Sequence, residues 1–257
     1  MPRTAIIALV LVGCLLVAGC IGGSVPGTRE SPVEPQPLPA RPATLTNSSV
    51  LEYTVAYEGV YLHNRSVSEY DASAIAAIDT CEYPAEDPQD GGLDYWIERR
   101  VGGEFYLTLR CPVDVENRGA EQSGSGMIGK WTTYAVTPET TSRVELGTNV
   151  LGVRNRTVNF DDEPHDVAVT VASVGEGSGD PVVEGVHHLD AGSYETVRAL
   201  APRNGSFEVR VRVDGGTSSS YRASAAAGEN LLARTGIYVS PDGEPVVDRR
   251  TETYLDG

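Results

Sequence analysis

The stretch Phe207-Glu208-Val209-Arg210-Val211-Arg212-Val213 alternates apolar and charged residues without interruption. Successive side chains of a β-strand point to opposite faces, so this pattern buries the apolar residues and exposes the charged ones. Val167-Ala168-Val169-Thr170-Val171 repeats the alternation with small residues between the valines. Two strands of this kind predict a sheet with one apolar face, which must pack against another layer.

The C-terminal part, residues 142–257, carries further short strand patterns separated by turn residues. Seven strands at this spacing predict an all-β immunoglobulin-like (Ig-like) sandwich. A terminal hairpin is predicted to turn through Pro241-Asp242-Gly243. The seven strands are Val144–Leu146, Leu151–Val153, Val167–Val174, Val182–His188, Tyr194–Leu200, Phe207–Val213 and Ser219–Ala223, and the hairpin arms are Ile237–Val239 and Val246–Asp248.

The preceding part, residues 47–138, predicts an α+β domain. Ser49 and Glu52 have capping-box spacing, which places a helix near residues 49–63. Four strand patterns follow, and Gly102-Gly103 predicts a hairpin between the middle two. One helix on a four-stranded antiparallel sheet is the expected architecture. The four strands are Ala74–Glu82, Leu93–Val101, Glu104–Cys111 and Trp131–Val136.

The N-terminus carries Arg3 and then an almost unbroken apolar run from Ala5 to Ala18. A bilayer span needs about 20 apolar residues, so this shorter run is typical of a signal peptide. It ends in Val17-Ala18-Gly19-Cys20, which resembles a lipoprotein lipobox. The resemblance implies that residues 1–19 are a signal peptide and that a lipid on Cys20 anchors the chain to the outer face of the cell membrane. The alternative is an uncleaved N-terminus that associates with the membrane.

Residues 20–46 are rich in proline and glycine, with six prolines between Pro26 and Pro42. Such a segment has too little apolar surface to fold by itself, and its prolines keep it extended. We therefore expect a tether that holds the folded part away from the membrane.

Two cysteines remain once Cys14 leaves with the signal peptide and Cys20 carries the lipid. Cys81 and Cys111 form an even pair in a chain expected outside the reducing cytosol, which predicts a disulfide. The bond would link the first predicted strand to the third. Closing a loop of about 30 residues contributes on the order of 3–4 kcal/mol to the free energy of unfolding.

The formal net charge is −16, from 36 acidic and 20 basic residues. This balance argues against a nucleic-acid partner, which requires clustered Lys and Arg. Lys130 is the only lysine, and scarce lysine beside many carboxylates resembles proteins of extreme halophiles. Near 1 M salt the Debye length is about 3 Å, so the repulsion between carboxylates is largely screened. The alternative is an ordinary acidic secreted protein.

The segment from Val153 to Val169 carries an Asn-x-Thr stretch and an acidic loop before a His-x-Val-x-Val strand. This order is similar to that of many haloarchaeal surface sandwiches. Together with the lipobox and the tether, the chain resembles a haloarchaeal membrane lipoprotein with a C-terminal Ig-like sandwich. No activity is inferred from this resemblance.

Four sites match the glycosylation pattern Asn-x-Ser/Thr, more than the roughly one that composition alone would produce. An excess of this kind favours a surface location. The four asparagines are Asn47, Asn64, Asn155 and Asn204.

The sequence contains no motif that clearly indicates catalysis, cofactor binding or metal binding. Residues 124–129 match G-x-G-x-x-G, but the stretch before them is polar and the one after them is strand-like, which predicts a loop rather than a dinucleotide site. Adjacent histidines on a strand point to opposite faces, so His187 and His188 cannot easily bind one ion. We expect His165, His187 and His188 on solvent-facing strands or loops. The acidic clusters around Asp161–Asp166 and Glu82–Asp94 offer carboxylates that could bind calcium. They lack the alternating ligand positions of an EF-hand loop. We expect no catalytic residues, no metal and no cofactor.

Three classes of function remain open. The first is a tethered envelope lipoprotein that binds another envelope protein, and the long tether, the β-rich parts and the missing catalytic motif favour it. The second is an extracellular lipoprotein that binds a small ligand in a cleft between helix and sheet. The third is a hydrolase with an unrecognised site.

Overall fold

The computed structural model describes residues 33–70, 75–81, 94–101, 103–111, 113–117, 131–147, 156–175, 181–233 and 235–249. The predicted signal peptide, Cys20 and the first part of the predicted tether lie outside these residues. So do the predicted strand Leu151–Val153, Asn155 and the glycine-rich stretch 124–129.

Helix α1 (Asn47–Glu69) begins two residues before the predicted start and continues six beyond the predicted end. The N-cap is Thr46, whose Oγ1 accepts from Ser49 N at 3.1 Å. Ser49 Oγ accepts in return from Thr46 N at 2.9 Å. Ser49 is therefore the reciprocal partner in the capping box rather than the N-cap itself, which shifts the start of the helix.

The N-terminal strands are β1 (Ile75–Thr80), β2 (Asp94–Val101), β3 (Glu104–Arg110), β4 (Val113–Asn117), β5 (Trp131–Val136) and β6 (Thr141–Gly147). The main antiparallel sheet has the order β2-β3-β5-β6, and β1 pairs with β4 in a separate two-stranded sheet. Three of the four predicted strands therefore share one sheet, and the expected β2–β3 hairpin is confirmed. The prediction that β1 is the fourth strand was wrong. The short, charged strand β4 was not predicted.

The fourth strand of the main sheet is β6, which was predicted to begin the C-terminal sandwich. Thr137 N donates to Thr140 O at 3.0 Å, and Thr140 N donates to Thr137 Oγ1 at 2.8 Å. These bonds form a four-residue turn, and a turn this short returns the chain as an antiparallel neighbour. The stretch around Pro138 is thus a hairpin turn that keeps β6 on the sheet of β5.

The C-terminal strands are β7 (Arg156–Asn159), β8 (His165–Ser173), β9 (Pro181–Leu189), β10 (Tyr194–Thr196), β11 (Gly205–Val213), β12 (Ser218–Ala225), β13 (Thr235–Val239) and β14 (Pro245–Arg249). Two four-stranded sheets, β12-β11-β8-β9 and β10-β7-β13-β14, form a sandwich. The predicted terminal hairpin is confirmed as β13–β14, and β13 also pairs in parallel with β7. The hairpin is therefore part of the second sheet rather than an addition to the sandwich.

The core of the sandwich contains the inward residues of the alternating strands. Val167, Val169 and Val171 of β8 face Ile237 and Val239 of β13 in one buried cluster. The buried residues of β11 complete it: Phe207, Val209, Val211 and Val213. The alternation in the sequence thus predicts the buried face correctly.

The main N-terminal sheet lies between the helix and the sandwich, so the layers follow in the order helix, sheet, sheet, sheet. One face of β3 and β5 packs on α1 through Leu107 and Tyr134, with Val50 and Leu51 from the helix. The other face packs on the sandwich, where the Tyr106 and Tyr238 rings stack at 4.6 Å between centroids. Val33–Gly257 accordingly forms one compact unit.

The second half of the expected tether lies on the folded part. Val33 packs against Val113 and Val115. Further along, Arg41 Nη1 donates to Pro138 O at 2.7 Å. Residues 33–46 thus belong to the folded unit.

The described part of the chain contains no helix that is both long and apolar enough to cross a membrane.

Candidate interaction surface

The outer face of sheet β12-β11-β8-β9 is the candidate functional surface. Its strands place their apolar residues in the sandwich core, so the alternate residues point away from it. Arg210, Arg212 and Arg222 are exposed on this face. Three carboxylates, Asp166, Glu184 and Glu208, share this face with the arginines. The other positions are mostly small residues, which keep the face flat: Ala168, Thr170, Ala172, Ser206, Ser218, Ser220 and Ser224.

Strand register places an exposed apolar residue in line with one of these arginines. Arg212 pairs with Ser218 on one side and with Ala168 on the other, and Ala168 pairs with Val186 on β9. Val186 is 68% exposed, more than any other large apolar side chain among the described residues. An exposed valine and a guanidinium on one face, with only Ala168 between them, are a combination that favours contact with another protein surface.

Two of the three arginines form no ion pair with a described residue, although Glu208 lies directly opposite Arg222 on the neighbouring strand. Arg210 Nη2 contacts Glu208 Oε2 at 3.0 Å, whereas neither Arg212 nor Arg222 forms an ion pair. A guanidinium is weakly hydrated and offers a planar fork of donors that fits a carboxylate. Unpaired guanidinium groups are notable in a chain with a net charge of −16.

His187 and His188 point to opposite sides of β9, as predicted from strand geometry. His188 Nδ1 contacts Asp166 Oδ1 at 2.9 Å at one end of the outer face. This hydrogen bond raises the pKa of the exposed His188 ring. His187 Nδ1 instead contacts Glu195 Oε2 at 3.0 Å, towards β10. The two rings therefore cannot bind one ion together.

His165 is buried, and the prediction that it faces solvent was wrong. Its Nδ1 contacts Asp214 Oδ2 at 2.6 Å, and its Nε2 contacts Asp161 Oδ2 at 2.7 Å. Burial acts to lower the pKa of the ring, but the two carboxylates outweigh it and the pKa is raised. Both ring nitrogens are occupied, so His165 joins the loop before β8 to the turn after β11 rather than serving as a base or ligand.

Gly243 closes the same end of the sandwich. It has φ +78°, and a Cβ built there would lie 3.1 Å from Asp161 Oδ2. Glycine is required both by the left-handed backbone and by the close approach of the carboxylate. The turn that the sequence predicts at Pro241-Asp242-Gly243 therefore packs on the Asp161–His165 pair.

A buried ionic network holds the helix on the main N-terminal sheet. Glu58 of α1 is 1% exposed. Its carboxylate accepts from Arg143 Nε at 2.7 Å and Nη2 at 2.8 Å, and from Thr132 Oγ1 at 3.1 Å. The Tyr134 hydroxyl also donates to it. With all of these donors satisfied and no open approach, the network is structural.

The predicted disulfide is present between Cys81 and Cys111, with the Cα atoms 4.5 Å apart. Cys81 directly follows β1 and Cys111 directly follows β3. The bond therefore fastens the two-stranded sheet to the main sheet, as the predicted link between the first and third strands required.

A small cavity of about 230 Å³ lies beside β12, lined by Tyr221, Glu229, Asn230 and Thr235 among others. Ligand pockets in proteins commonly measure about 300–1,000 Å³, so this cavity gives the small-ligand hypothesis no specific support. Within the described ranges, no group of three or more His, Cys, Asp or Glu residues is arranged to hold a metal ion.

Sequence reasoning assigned Arg210 and Arg212 to solvent but did not recognise them as part of a surface. The available signal was the concentration of arginine on two neighbouring strands of a strongly acidic chain. Val186 carried no signal, because its exposure depends on the position of β9 at the sheet edge.

Comparison with known protein families matches residues 163–255 to the model of the halobacterial Ig-like domain. The match covers β8 to β14, so the C-terminal part contains an Ig-like domain of the type found in haloarchaeal proteins. Comparison with curated proteins and with solved structures finds no match.

Proposed function

Because residues 163–255 form an Ig-like domain of halobacterial type, we propose that this protein is a lipid-anchored module of the cell surface that binds another envelope protein. The lipid on Cys20 supplies the anchor, and the outer face of sheet β12-β11-β8-β9 supplies the contact. The observation that carries the proposal is the pair of unpaired guanidinium groups, Arg212 and Arg222, on an exposed face with Val186.

The partner presents carboxylates to this face. Near 1 M salt the Debye length is about 3 Å, so attraction between separated charges is lost and only charges in direct contact interact strongly. Arginine suits such contacts because its fork pairs with a carboxylate through two hydrogen bonds. The partner of this proposal is therefore an acidic protein surface flat enough to reach Arg212 and Arg222 together.

The area of the face indicates a modest affinity. Nine residues of strand at about 3.4 Å and four strands at about 4.8 Å give a face of roughly 30 by 19 Å. This is close to 600 Å², below the approximately 800 Å² per partner of a standard interface. Binding of this strength is best captured in intact cells, where the lipid anchor keeps both proteins on one membrane.

The experiment is crosslinking in intact cells at native salt, followed by purification through a C-terminal tag and mass spectrometry. We expect a stoichiometric acidic envelope protein with the wild type and its loss with the double variant Arg212→Ser/Arg222→Ser. Arg198→Ser is the matched control, because Arg198 is exposed outside the face and should retain the partner. Recovery of the protein alone, or equal capture by both variants, would contradict the proposal.

A further inference from the structure

The four glycosylation motifs are equivalent in sequence, but the structure separates those that it describes. Asn64 lies within α1, Asn47 is the first residue of that helix, and Asn204 lies in the bend before β11. A glycan needs an asparagine amide with a free hydrogen and room beyond it. These two conditions can be read directly from the hydrogen bonds of each side chain.

The Asn64 amide is closed by a reciprocal pair of hydrogen bonds. Its Oδ1 accepts from Gln36 N at 2.7 Å, and its Nδ2 donates to Gln36 O at 2.8 Å. Both bonds go to one residue, so the hydrogen used is the one on the same side of the amide as Oδ1. A substituted amide strongly prefers the trans form, which puts the sugar carbon on that same side. A glycan on Asn64 would therefore replace the bond to Gln36.

The remainder of the Asn64 motif is also covered by other residues. Ser66, which supplies the hydroxyl of the motif, is 3% exposed on the inner side of the helix. Beside it, His63 Nε2 contacts Glu34 O at 2.9 Å, so the segment before the helix covers this turn. A transferase would have to displace residues 33–46 and unwind the helix to reach Asn64.

The Asn204 amide is open. Its Oδ1 accepts from Ala227 N at 2.8 Å, which fixes the side chain without using Nδ2. No hydrogen bond from Nδ2 to another described residue is present, and Asn204 is exposed. Gly205 and Ser206, the remainder of the motif, are exposed too. The side chain is thus held in place while neither amide hydrogen is bonded to a described residue.

We propose that Asn204 carries an N-linked saccharide and that Asn64 does not, a proposal that rests on the surface location of the proposed function. The donor is a saccharide activated as a phosphate ester. The bond between the anomeric carbon and the phosphate oxygen breaks, the phosphate leaves with the electron pair, and the carbon bonds to Asn204 Nδ2. The amide nitrogen loses one proton to a base of the transferase.

This position leaves the Arg212 end of the interaction surface free, while Arg222, opposite Glu208, lies nearer to Asn204. Asn204 directly precedes β11, whereas Arg212 lies near the other end of that strand. Eight residues of strand separate them by roughly 26 Å. The glycan therefore borders the Ser206 end of the face and leaves the row with Arg212 and Val186 open.

The test is glycopeptide mass spectrometry of the full chain purified from its native membrane. Trypsin releases Asn204–Arg210, and cleavage after Glu58 and Glu69 isolates Asn64 from Asn47. We expect the saccharide mass on the Asn204 peptide and the bare mass for the Asn64 peptide. Asn204→Gln should increase electrophoretic mobility, whereas the matched variant Asn64→Gln should leave it unchanged.

The inference is overturned by a saccharide on Asn64 or by an Asn204 without one. Lipidation of Cys20 shows whether the proposed function fails as well. A saccharide on Asn64, or a bare Asn204 in protein that carries lipid on Cys20, overturns the inference and leaves the surface location intact. Protein that is neither lipidated nor exposed to external protease, with Asn204 bare, overturns both. A saccharide on Asn204 with no recovered envelope partner upholds the inference and contradicts only the binding function.

Discussion

At the scale of single residues, a buried carboxylate of this protein forms an ion pair, whereas two exposed arginines form none with the described residues. Glu58 is buried and forms an ion pair with the partly buried Arg143, whereas Arg212 and Arg222 are exposed and form no ion pair with a described residue. Taking an ion pair out of water costs free energy, and the hydrogen bonds that Glu58 accepts from Arg143, Thr132 and Tyr134 offset that cost. The sequence does not distinguish these cases, because both read as isolated charges among apolar residues.

Replacing Glu58 by Gln should destabilise the protein. The substitution leaves Arg143 with only the more distant Glu145 carboxylate, 3.8 Å from its Nη2, as a described counter-charge. Breaking one side of a buried pair costs about 3–5 kcal/mol. Denaturant unfolding at constant salt measures the free energy of unfolding. Glu52→Gln is the control, since Glu52 is exposed on the same helix and its loss should change little. An equal effect of the two substitutions would contradict a buried role for Glu58.

Stability should depend on pH through His165. Its pKa is raised in the folded state, so its contribution is fully present below about pH 6.5, the unfolded value, and is lost as the pH rises through the folded pKa. The pKa values of Asp161 and Asp214 are lowered: burial raises that of Asp161, but the bonds from His165 outweigh it, and the bond from His165 lowers that of Asp214. Their contribution is present above about pH 3.9 and is lost as the pH falls.

Melting temperature measured against pH checks this dependence. We expect a maximum between about pH 4 and 6.5 for the wild type and a flatter profile for His165→Gln. His187→Gln removes a histidine that contacts the half-exposed Glu195, so its profile should follow the wild type. A wild-type melting temperature that rises steadily from pH 6 to 8 would contradict the assignment.

At the scale of elements, short-range turns and one covalent bond decide which strands pair. The turn at Thr137–Thr140 returns β6 to the main sheet, and the Cys81–Cys111 bond holds the β1–β4 sheet beside it. Gly59 permits the close approach of β1 to the helix, since a Cβ there would lie 3.2 Å from Thr80 Oγ1. A two-stranded sheet is only marginally stable by itself. This one therefore depends on the fastening together with the small apolar cluster around Val113 and Val115.

Removing the disulfide should destabilise the chain by about 3–4 kcal/mol, as expected for a loop of about 30 residues. The double variant Cys81→Ser/Cys111→Ser is compared with the wild type by chemical unfolding. The wild type with reductant should approach the variant, and the variant itself should not respond to reductant. Free thiols at both cysteines in non-reducing mass mapping would refute the pairing.

At the scale of the whole molecule, the main N-terminal sheet and the sandwich share a core. Tyr106 stacks on Tyr238, Phe160 packs beside both, and the buried Arg156 Nη2 donates to Thr108 Oγ1 at 2.6 Å. An apolar interface of this kind couples the two parts energetically. The parts that the sequence predicts as 47–138 and 142–257 should therefore unfold together.

Calorimetry at native salt tests this coupling. We expect one transition for the wild type, and Tyr238→Ala should lower the temperature of the whole transition because it leaves a cavity between the sheets. Two separated transitions in the wild type would show that the shared core does not couple the parts. Val186→Ala is the control, since Val186 is 68% exposed on the outer face of the sandwich, away from the shared core.

The proposed lipid anchor on Cys20 is also tested with the full chain. Cys20→Ser should abolish lipidation and release the protein from membranes into the medium. Cys14→Ser is the matched control, because Cys14 lies within the predicted signal peptide and the change should leave the mature protein membrane-bound. Retention of the Cys20 variant on membranes equal to that of the wild type would overturn the anchor.

Local periodicity and turn chemistry determined much of this protein without further information. The alternation in Phe207–Val213 and in Val167–Val171 predicted which residues are buried, Gly102-Gly103 predicted a hairpin, and the cysteine count predicted the disulfide. These signals succeed because they are carried by neighbours in sequence. The halobacterial character of the Ig-like domain was likewise visible in composition and motif.

Only the tertiary structure decided which strands share a sheet, and which polar residues are buried. Strand β1 pairs with β4 because such pairing depends on register and packing between distant segments, whereas β6 stays with β5 through the local turn at Thr137–Thr140. Distance in sequence also matters for His165, which the sequence placed in solvent and which is enclosed by the neighbouring Asp161 and the distant Asp214. It matters as well for Asn64 and Asn204, whose motifs are equivalent until Gln36 closes one of them. Contacts between distant segments are set by the summed packing of the whole chain, and no local pattern encodes them.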